Sequence, residues 1–511
     1  MTVVSPKALA IVSFCLSQVF SHLAVSADAE RAGQKSPPNI LVIIGDDMGV
    51  ESLASYGIGE NTPTTTNLDA LAAEGMSFDR FWTQPICSPT RATILTGRYG
   101  FRNGIGLPLG RNDGVKPVLL PKPVGASMES VPRPGRDLAG GSLPDMPSSD
   151  EKEGNGPPIL DPNESSNPAL STDEYTLPLA FKNDDENGYR TAAIGKWHLA
   201  DKDNGWLSHP NISGFDHHSG LMSGFPEGYY SWIQVTNGEA EATTGYTPNR
   251  KIDDAVEWIN DRAGKPWFLW LAFNLPHDPL HLPEKALLQE SHADLDPKSQ
   301  PELNGRPYFE AMMEAMDTEI GRLTAAIKPE VLENTYIIFL GDNGTSRNVI
   351  DSPFSFEHAK GSLYQGGINT PLIISGPGVT KGSRSSALVN SVDLFSTIIE
   401  MGEMKVREKV PADVELDSMS LMPYLVDPEK ESIRKFAFAD RFGGQGDDRV
   451  GDFTIRNGTH KLISFENGAR EELYNLENDP YEHDNLLENK LSRRDQAQYQ
   501  LLVKQSSALQ Q

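Results

Sequence analysis

Cysteine is almost missing from this chain: its 511 residues include only Cys15 and Cys87. That excludes a disulfide framework and a cysteine-built zinc site. Basic residues are scarce too, with 45 Lys and Arg against 71 Asp and Glu and a formal net charge of −26. Such a balance argues against nucleic acid or an anionic membrane surface as the main partner, though not against a local basic pocket. Long apolar runs are also missing. The run from Ala8 to Phe20 is too short for a membrane span, and no later stretch is apolar enough for one. With Lys7 before it and Ala24-Val25-Ser26-Ala27 after it, residues 1–27 have the order of a secretory signal peptide. The mature protein is therefore expected to be soluble and exported, periplasmic or secreted.

What is present looks like an ordinary globular protein, 38% hydrophobic and 23% charged, long enough for one large domain and a smaller one. Asn39–Ile44 is a continuous run rich in β-branched residues, the pattern of a strand buried on both faces. It ends at Gly45-Asp46-Asp47. Similar runs at 188–194, 267–273 and 335–340 end at Lys196 and His198, at His277, and at Asp342 and Asn343. A fifth lies at 371–375, and helical spacing is read at 67–78 and 307–327. Alternating strands and helices predict an α/β fold, a large mostly parallel sheet sandwiched by helices. Polar groups recur at the carboxyl ends of the strands, where open α/β sheets place their ligands.

Between 107 and 170 periodicity fails in a Pro/Gly-rich stretch, read as an insertion at the rim of the site. Beyond Leu425, short alternating segments predict a smaller C-terminal domain built on an antiparallel sheet. The expected organisation is a signal peptide (1–27), a catalytic domain (38–425), a C-terminal subdomain (426–496) and a polar tail (497–511), frayed from Arg493.

In an exported chain Cys87 has no disulfide partner. It reads either as an inert buried thiol or as the head of Cys87-Ser88-Pro89-Thr90-Arg91, with Thr96-Gly97-Arg98 downstream. If the turn opens a helix, Arg91 falls on the same face one turn later. The segment resembles, residue for residue, the C-x-P-x-R element of type I sulfatases, members of the alkaline phosphatase superfamily. The G-D-D, G-K-W-H-L, P-H-D-P, G-D-N-G and K-G-S-L-Y segments are similar to that family's, in the same order. So is Glu472–Leu476, with Asp479, Pro480 and Glu482, to its closing strand and loop. Gln365 and Asn369 depart from it, standing where a glutamate and an arginine are usual.

Asp46, Asp47, Asp342 and Asn343 offer oxygen ligands from two strand ends, which favours Ca²⁺ or Mg²⁺ over zinc. Adjacent carboxylates after a strand also read as a simple loop cap. Hydrolysis of a sulfate ester requires a nucleophile, cations for the sulfuryl oxygens, a proton donor and a base. Singly, Lys196 and Lys360 read as surface charges, and His198 and His277 as hydrogen-bonded loop residues. Together they supply every role.

The resemblance implies more. A maturation enzyme would oxidise Cys87 to formylglycine, whose hydrate is the nucleophile. One Ca²⁺ would be bound by Asp46, Asp47, Asp342, Asn343 and the modified Cys87. Arg91 would hold the hydrate, Lys196 and Lys360 the sulfate oxygens. His277 would assist the leaving alcohol, and His198 would release sulfate from a covalent sulfo-enzyme. Trp206, Tyr229, Tyr230 and Trp232 read either as packing or as a platform for sugar rings, so a sulfated small molecule or carbohydrate is the expected substrate. A phosphonate or phosphate ester hydrolase of the same superfamily and a sugar-binding protein on an inactive scaffold are the rival readings. The second would be marked by a missing ligand or base, and none is missing.

Overall fold

The computed structural model describes residues 36–109, 167–184, 187–226, 228–262, 264–289, 292–295, 304–443 and 450–510. The expected signal peptide and most of the 107–170 insertion lie outside these residues. Among the described residues no helix is long and apolar enough to cross a membrane.

Strand β1 (Asn39–Gly45) is buried at every position. Its side chains alternate between two cores, Ile40, Val42 and Ile44 on one face and Leu41 and Ile43 on the other. A strand covered on both faces has no polar side, which is why its sequence is an unbroken apolar run. Strands β4 (Arg190–Lys196), β5 (His217–Leu221), β8 (Trp267–Ala272) and β9 (Thr335–Gly341) join it in a parallel block, in the order β9-β1-β8-β4-β5. Mixed edges close the ten-stranded sheet. On one side lie β10 (Leu372–Ser375), β2 (Gly75–Phe78) and β11 (Ser383–Ser385), and on the other β6 (Ser231–Thr236) and β7 (Glu239–Thr244). Their pairings are antiparallel except where β11 pairs with β2 in parallel. The expected α/β architecture is present, with its parallel part at the centre. A two-stranded ribbon of β3 (Phe81–Trp82) and β12 (Val389–Asn390) lies beside it.

The helical stretch expected over 67–78 divides. Helix α1 (Thr66–Glu74) stops before Gly75, and Gly75–Phe78 becomes β2, paired with β10. Met76 and Phe78 are apolar at period 2 as well as fitting the helical count, and sheet pairing decides between the two. Helices α3 (Thr247–Asn260) and α4 (Arg306–Ala326) cover one face of the sheet through Ile252, Ala255, Met312 and Met316. Helix α5 (Asp393–Met401) covers the other through Leu394, Phe395 and Ile398. Helix α2 (Cys87–Thr96) is buried along its whole length.

The C-terminal sheet is antiparallel, in the order β13 (Ala437–Gly443), β14 (Val450–Arg456), β15 (His460–Phe465), β16 (Arg470–Asn475). One face sets Ala437, Ala439 and Ile463 against Trp82, Leu363 and Ile368 of the main body. The other carries α6 (Arg493–Leu509) through Leu502. The segment expected to fray from Arg493 is thus an ordered helix, capped by Ser492, whose hydroxyl accepts from the backbone N–H of Asp495. Tyr499, Leu502, Val503 and Leu509 line one face of it against the sheet, but most of the residues between them are polar, so the composition reads as a tail.

Candidate active site

The parallel block delivers the site from four strand ends. Asp46 and Asp47 follow β1, Lys196 ends β4 with His198 just beyond, His277 follows β8 through a short turn, and Asp342 and Asn343 follow β9. Into this space points the first residue of α2, Cys87. Ile86 before it is extended, and Pro89 sits in the first turn, where its missing N–H costs no helical hydrogen bond. Arg91, one turn on, is fully buried on the same side, as the spacing predicts.

All ten expected residues converge. One ligand atom each from Asp46, Cys87 and Asp342 lies within 4.8 Å of the other two, and the same holds for Asp46, Asp47 and His277. Each carboxylate faces a cation. Lys196 Nζ donates to both Asp46 oxygens at 2.9 and 2.7 Å. Arg91 donates to Asp342 Oδ2 through Nε at 3.1 Å and Nη2 at 2.7 Å, and through Nη1 to the Lys196 carbonyl at 2.8 Å. Lys360 Nζ lies 2.5 Å from Asp47 Oδ1. Asn343 Nδ2 donates to the same oxygen at 2.8 Å, and His277 Nε2 stands 3.7 Å from Asp47 Oδ2.

The two histidines are oriented by backbone carbonyls. His198 Nε2 lies 3.3 Å from the Leu109 carbonyl, which only accepts, so Nε2 carries the proton. Nδ1 is then the acceptor, 3.2 Å from Cys87 Sγ. In His277, Nδ1 donates to the Asp278 carbonyl at 2.9 Å, leaving Nε2 as the basic atom on the site side. Burial pushes His277 down to about 4, against the pull of Asp47. Burial raises the Cys87 thiol, with Lys196 and Lys360 opposing.

Two of these residues occupy the left-handed region that non-glycine residues avoid, Asp47 at φ 70° and His198 at φ 57°. Asp47 N–H is held by Asp342 Oδ1 at 3.2 Å, and His198 N–H by the Met222 carbonyl at 3.1 Å. Gly195 precedes Lys196 at φ 104°, and a Cβ there would meet the Ala272 carbonyl oxygen at 1.9 Å. The turn into Lys196 therefore requires glycine.

The donor set fits a hard divalent cation. Three enclosed carboxylates meet an amide oxygen, Asn343 Oδ1, that is buried without a hydrogen-bond partner among the described residues. Burial lifts Asp46 to about 7 in spite of Lys196. A cation beside it would restore the ionised form.

Some elements of the site have no sequence signal. Segment 222–226 runs between the histidines. A Cβ on Gly224 would lie 2.5 Å from Cε1 of His198, and the Phe225 ring stacks on His277, 5.8 Å between centroids and 8° from parallel. Of the four aromatics read as a sugar platform, Tyr229 and Trp232 are buried packing residues, Trp206 is half-buried and Tyr230 is exposed. Gln365 and Asn369 lie under the C-terminal sheet: Gln365 accepts from Trp82 Nε1 at 2.9 Å, and Asn369 donates to the Asp79 carbonyl at 3.4 Å. Their departure from the family pattern is structural.

The fold is an α/β sheet whose carboxyl edge carries a buried cluster of carboxylates, cations and imidazoles around Cys87. The family model "Sulfatase" matches residues 38–120 and 128–403, and "N-sulphoglucosamine sulphohydrolase, C-terminal" matches 356–508. The chain belongs to the sulfatase family and is a sulfuric ester hydrolase. It is similar to the N-acetylgalactosamine-6-sulfatase of Homo sapiens, 28% identical over 425 residues, covering 77% of this chain and 67% of that protein. An arylsulfatase of Klebsiella aerogenes is 23% identical over 505 residues, covering 80% and 96%. Among solved structures, Ps i-CgsB in complex with k-i-k-neocarrahexaose superposes with a TM-score of 0.68 at 24% identity, covering 93% of both chains. At that identity the likeness shows the fold.

Proposed function

We propose that this protein is an exported sulfatase that releases inorganic sulfate from a sulfated carbohydrate, with residue 87 as the point of attack on sulfur. The observation that carries this reading is the approach of His198 Nδ1 to Cys87 Sγ, 3.2 Å, inside a ring of Asp46, Asp342, Lys196 and Lys360. A buried thiol of raised pKa is a poor nucleophile, and Sγ stands where a modified residue 87 would carry oxygen. Conversion by a maturation enzyme to formylglycine would supply a hydrate hydroxyl there. Asp46, Asp47, Asp342 and Asn343, with residue 87, would hold Ca²⁺, which polarises sulfuryl oxygens when bound.

The chain's own residues do the rest. Lys196 and Lys360 turn from their carboxylates toward the sulfate oxygens and stabilise the charge that builds on them. Arg91 is committed to Asp342 and the Lys196 carbonyl, so it acts through its charge and by fixing those groups behind residue 87. His277 serves the alcohol side. Burial favours its unprotonated form, with Nε2 toward the site, and once protonated it donates to the leaving oxygen. His198 Nδ1, already an acceptor, takes the proton from residue 87 when sulfate departs.

A carbohydrate is favoured as substrate by the relatives. One similar structure was solved with its substrate D-glucosamine-2-N,6-O-disulfate, at a TM-score of 0.64 and 20% identity, and Ps i-CgsB with a neocarrahexaose. Phe225, half-buried, stacks on His277, and Tyr230 is an exposed ring packed beside Tyr246 and His281. The test is a screen of purified, matured enzyme against defined sulfated mono- and oligosaccharides beside a chromogenic aryl sulfate. Turnover of the aryl sulfate with no turnover of any sulfated sugar would remove the carbohydrate.

A further inference from the structure

The other cations around the site each face a carboxylate; Lys251 does not. It lies on α3, the helix whose neighbouring inward positions are Ile252, Ala255 and Ile259, and it is 1% exposed. Among the described residues its only hydrogen bond goes to an amide oxygen, Asn274 Oδ1. Burial pulls the amine down to about 7, with Asp46 opposing and Arg91 and Lys196 adding to the fall. An enclosed ammonium without a counter-ion is costly, and an apolar side chain would pack in its place without that penalty.

Its partner explains its presence. Asn274 opens the turn that carries His277. The Asn274 carbonyl accepts the His277 N–H at 2.9 Å, and the next residue, Leu275, accepts the Asp46 N–H at 2.9 Å. The Tyr229 hydroxyl bridges the carbonyls of Asn274 and His277, at 2.6 and 2.7 Å. The backbone of the turn is thus tied from two sides, and Lys251 fixes the side chain at its root.

We propose that Lys251 is a positioning residue: through Asn274 it holds the turn so that Nε2 of His277 faces the leaving oxygen of the sulfate ester. The inference rests on the assignment of His277 to the alcohol side. The amine of Lys251 is bonded to Asn274, and its role is exerted through that contact.

The test is the dependence of kcat/KM on leaving-group acidity, measured on the matured full-length enzyme with graded aryl sulfates and one alkyl sulfate. H277A sets the reference by steepening that dependence. K251M should steepen it in the same direction, losing about 10- to 100-fold on the alkyl sulfate and only about threefold on the most activated aryl sulfate. N274A should do the same, which keeps the proposal testable if K251M folds poorly. N274D should retain the wild-type slope, because it keeps an oxygen for Lys251 and gives up Nδ2, which has no partner among the described residues. The K251M/H277A double variant should be no steeper than H277A. Equal losses across the series in K251M and N274A, with H277A steepened, would overturn the role of Lys251 alone. An unsteepened H277A would overturn the role of His277 and this inference with it.

Discussion

Nδ1 of His198 faces Sγ of Cys87 at 3.2 Å, because Nε2 of the same ring is turned to the Leu109 carbonyl. His277 has the opposite arrangement, Nδ1 bonded to a carbonyl and Nε2 toward the site. Two histidines presenting different nitrogens to different parts of one pocket are suited to different proton transfers.

The roles separate by leaving group. His277→Ala should slow esters of poorly acidic alcohols by about 10²- to 10⁴-fold while activated aryl sulfates lose far less. His198→Ala should slow both alike and leave sulfate attached to the peptide that contains residue 87. Mass spectrometry of quenched reactions checks this. Trapped sulfate in His277→Ala and not in His198→Ala would reverse the assignment.

Gly224 is a steric test of the same histidine. A Cβ there falls 2.5 Å from His198 Cε1, while the His198 backbone is held at φ 57° by the Met222 carbonyl. Gly224→Ala should therefore displace the imidazole and lower kcat by about 10²-fold for all leaving groups, with folding intact. Wild-type rates in Gly224→Ala would show that the ring has room to move without consequence.

Asp342 joins the metal reading to stability. Its Oδ2 takes two bonds from Arg91, and both side chains are fully buried. Asp342→Ala leaves that guanidinium enclosed and unpaired, which should cost roughly 3–5 kcal/mol of unfolding free energy. Bound divalent metal and activity should fall together. Metal analysis beside urea unfolding reads both. A variant that keeps stoichiometric metal would place the cation elsewhere.

Acid sensitivity should come partly from His209. Its Nδ1 accepts from Trp197 Nε1 at 3.1 Å, a group that only donates, and its Nε2 donates to the Leu170 carbonyl at 2.9 Å. Protonation would set donor against donor, and burial pulls the ring down to about 4 from an ordinary 6.5. Below pH 6.5 the unfolded chain binds the proton and the folded chain does not, so stability falls with pH until the folded ring titrates near 4. The difference is worth on the order of 3 kcal/mol. Urea unfolding between those pH values should show the decline, and His209→Gln should flatten it.

Much of the centre was legible in the sequence, for a physical reason. Strands buried on both faces leave unbroken apolar runs, and the residues that follow them are placed together by the sheet whatever lies between. Asp46, Lys196, His277 and Asp342 were found that way, and Arg91 by helical spacing from Cys87. Gly224, Phe225 and Lys251 were not, because their role lies in what they touch. A glycine in a loop and a lysine on an amphipathic helix look ordinary until the neighbours are known. Helix α6 was missed because its stripe of Tyr499, Leu502, Val503 and Leu509 is interrupted by a mostly polar composition.

The state of residue 87 tests the account most directly. The enzyme should be produced with and without a formylglycine-generating system, the peptide containing residue 87 weighed, and turnover of an aryl sulfate measured on the same samples. The account predicts that activity rises in proportion to the fraction of residue 87 carried as the aldehyde, and that Cys87→Ser leaves a folded, nearly inactive protein. Full activity in protein whose residue 87 is entirely unmodified thiol would contradict it.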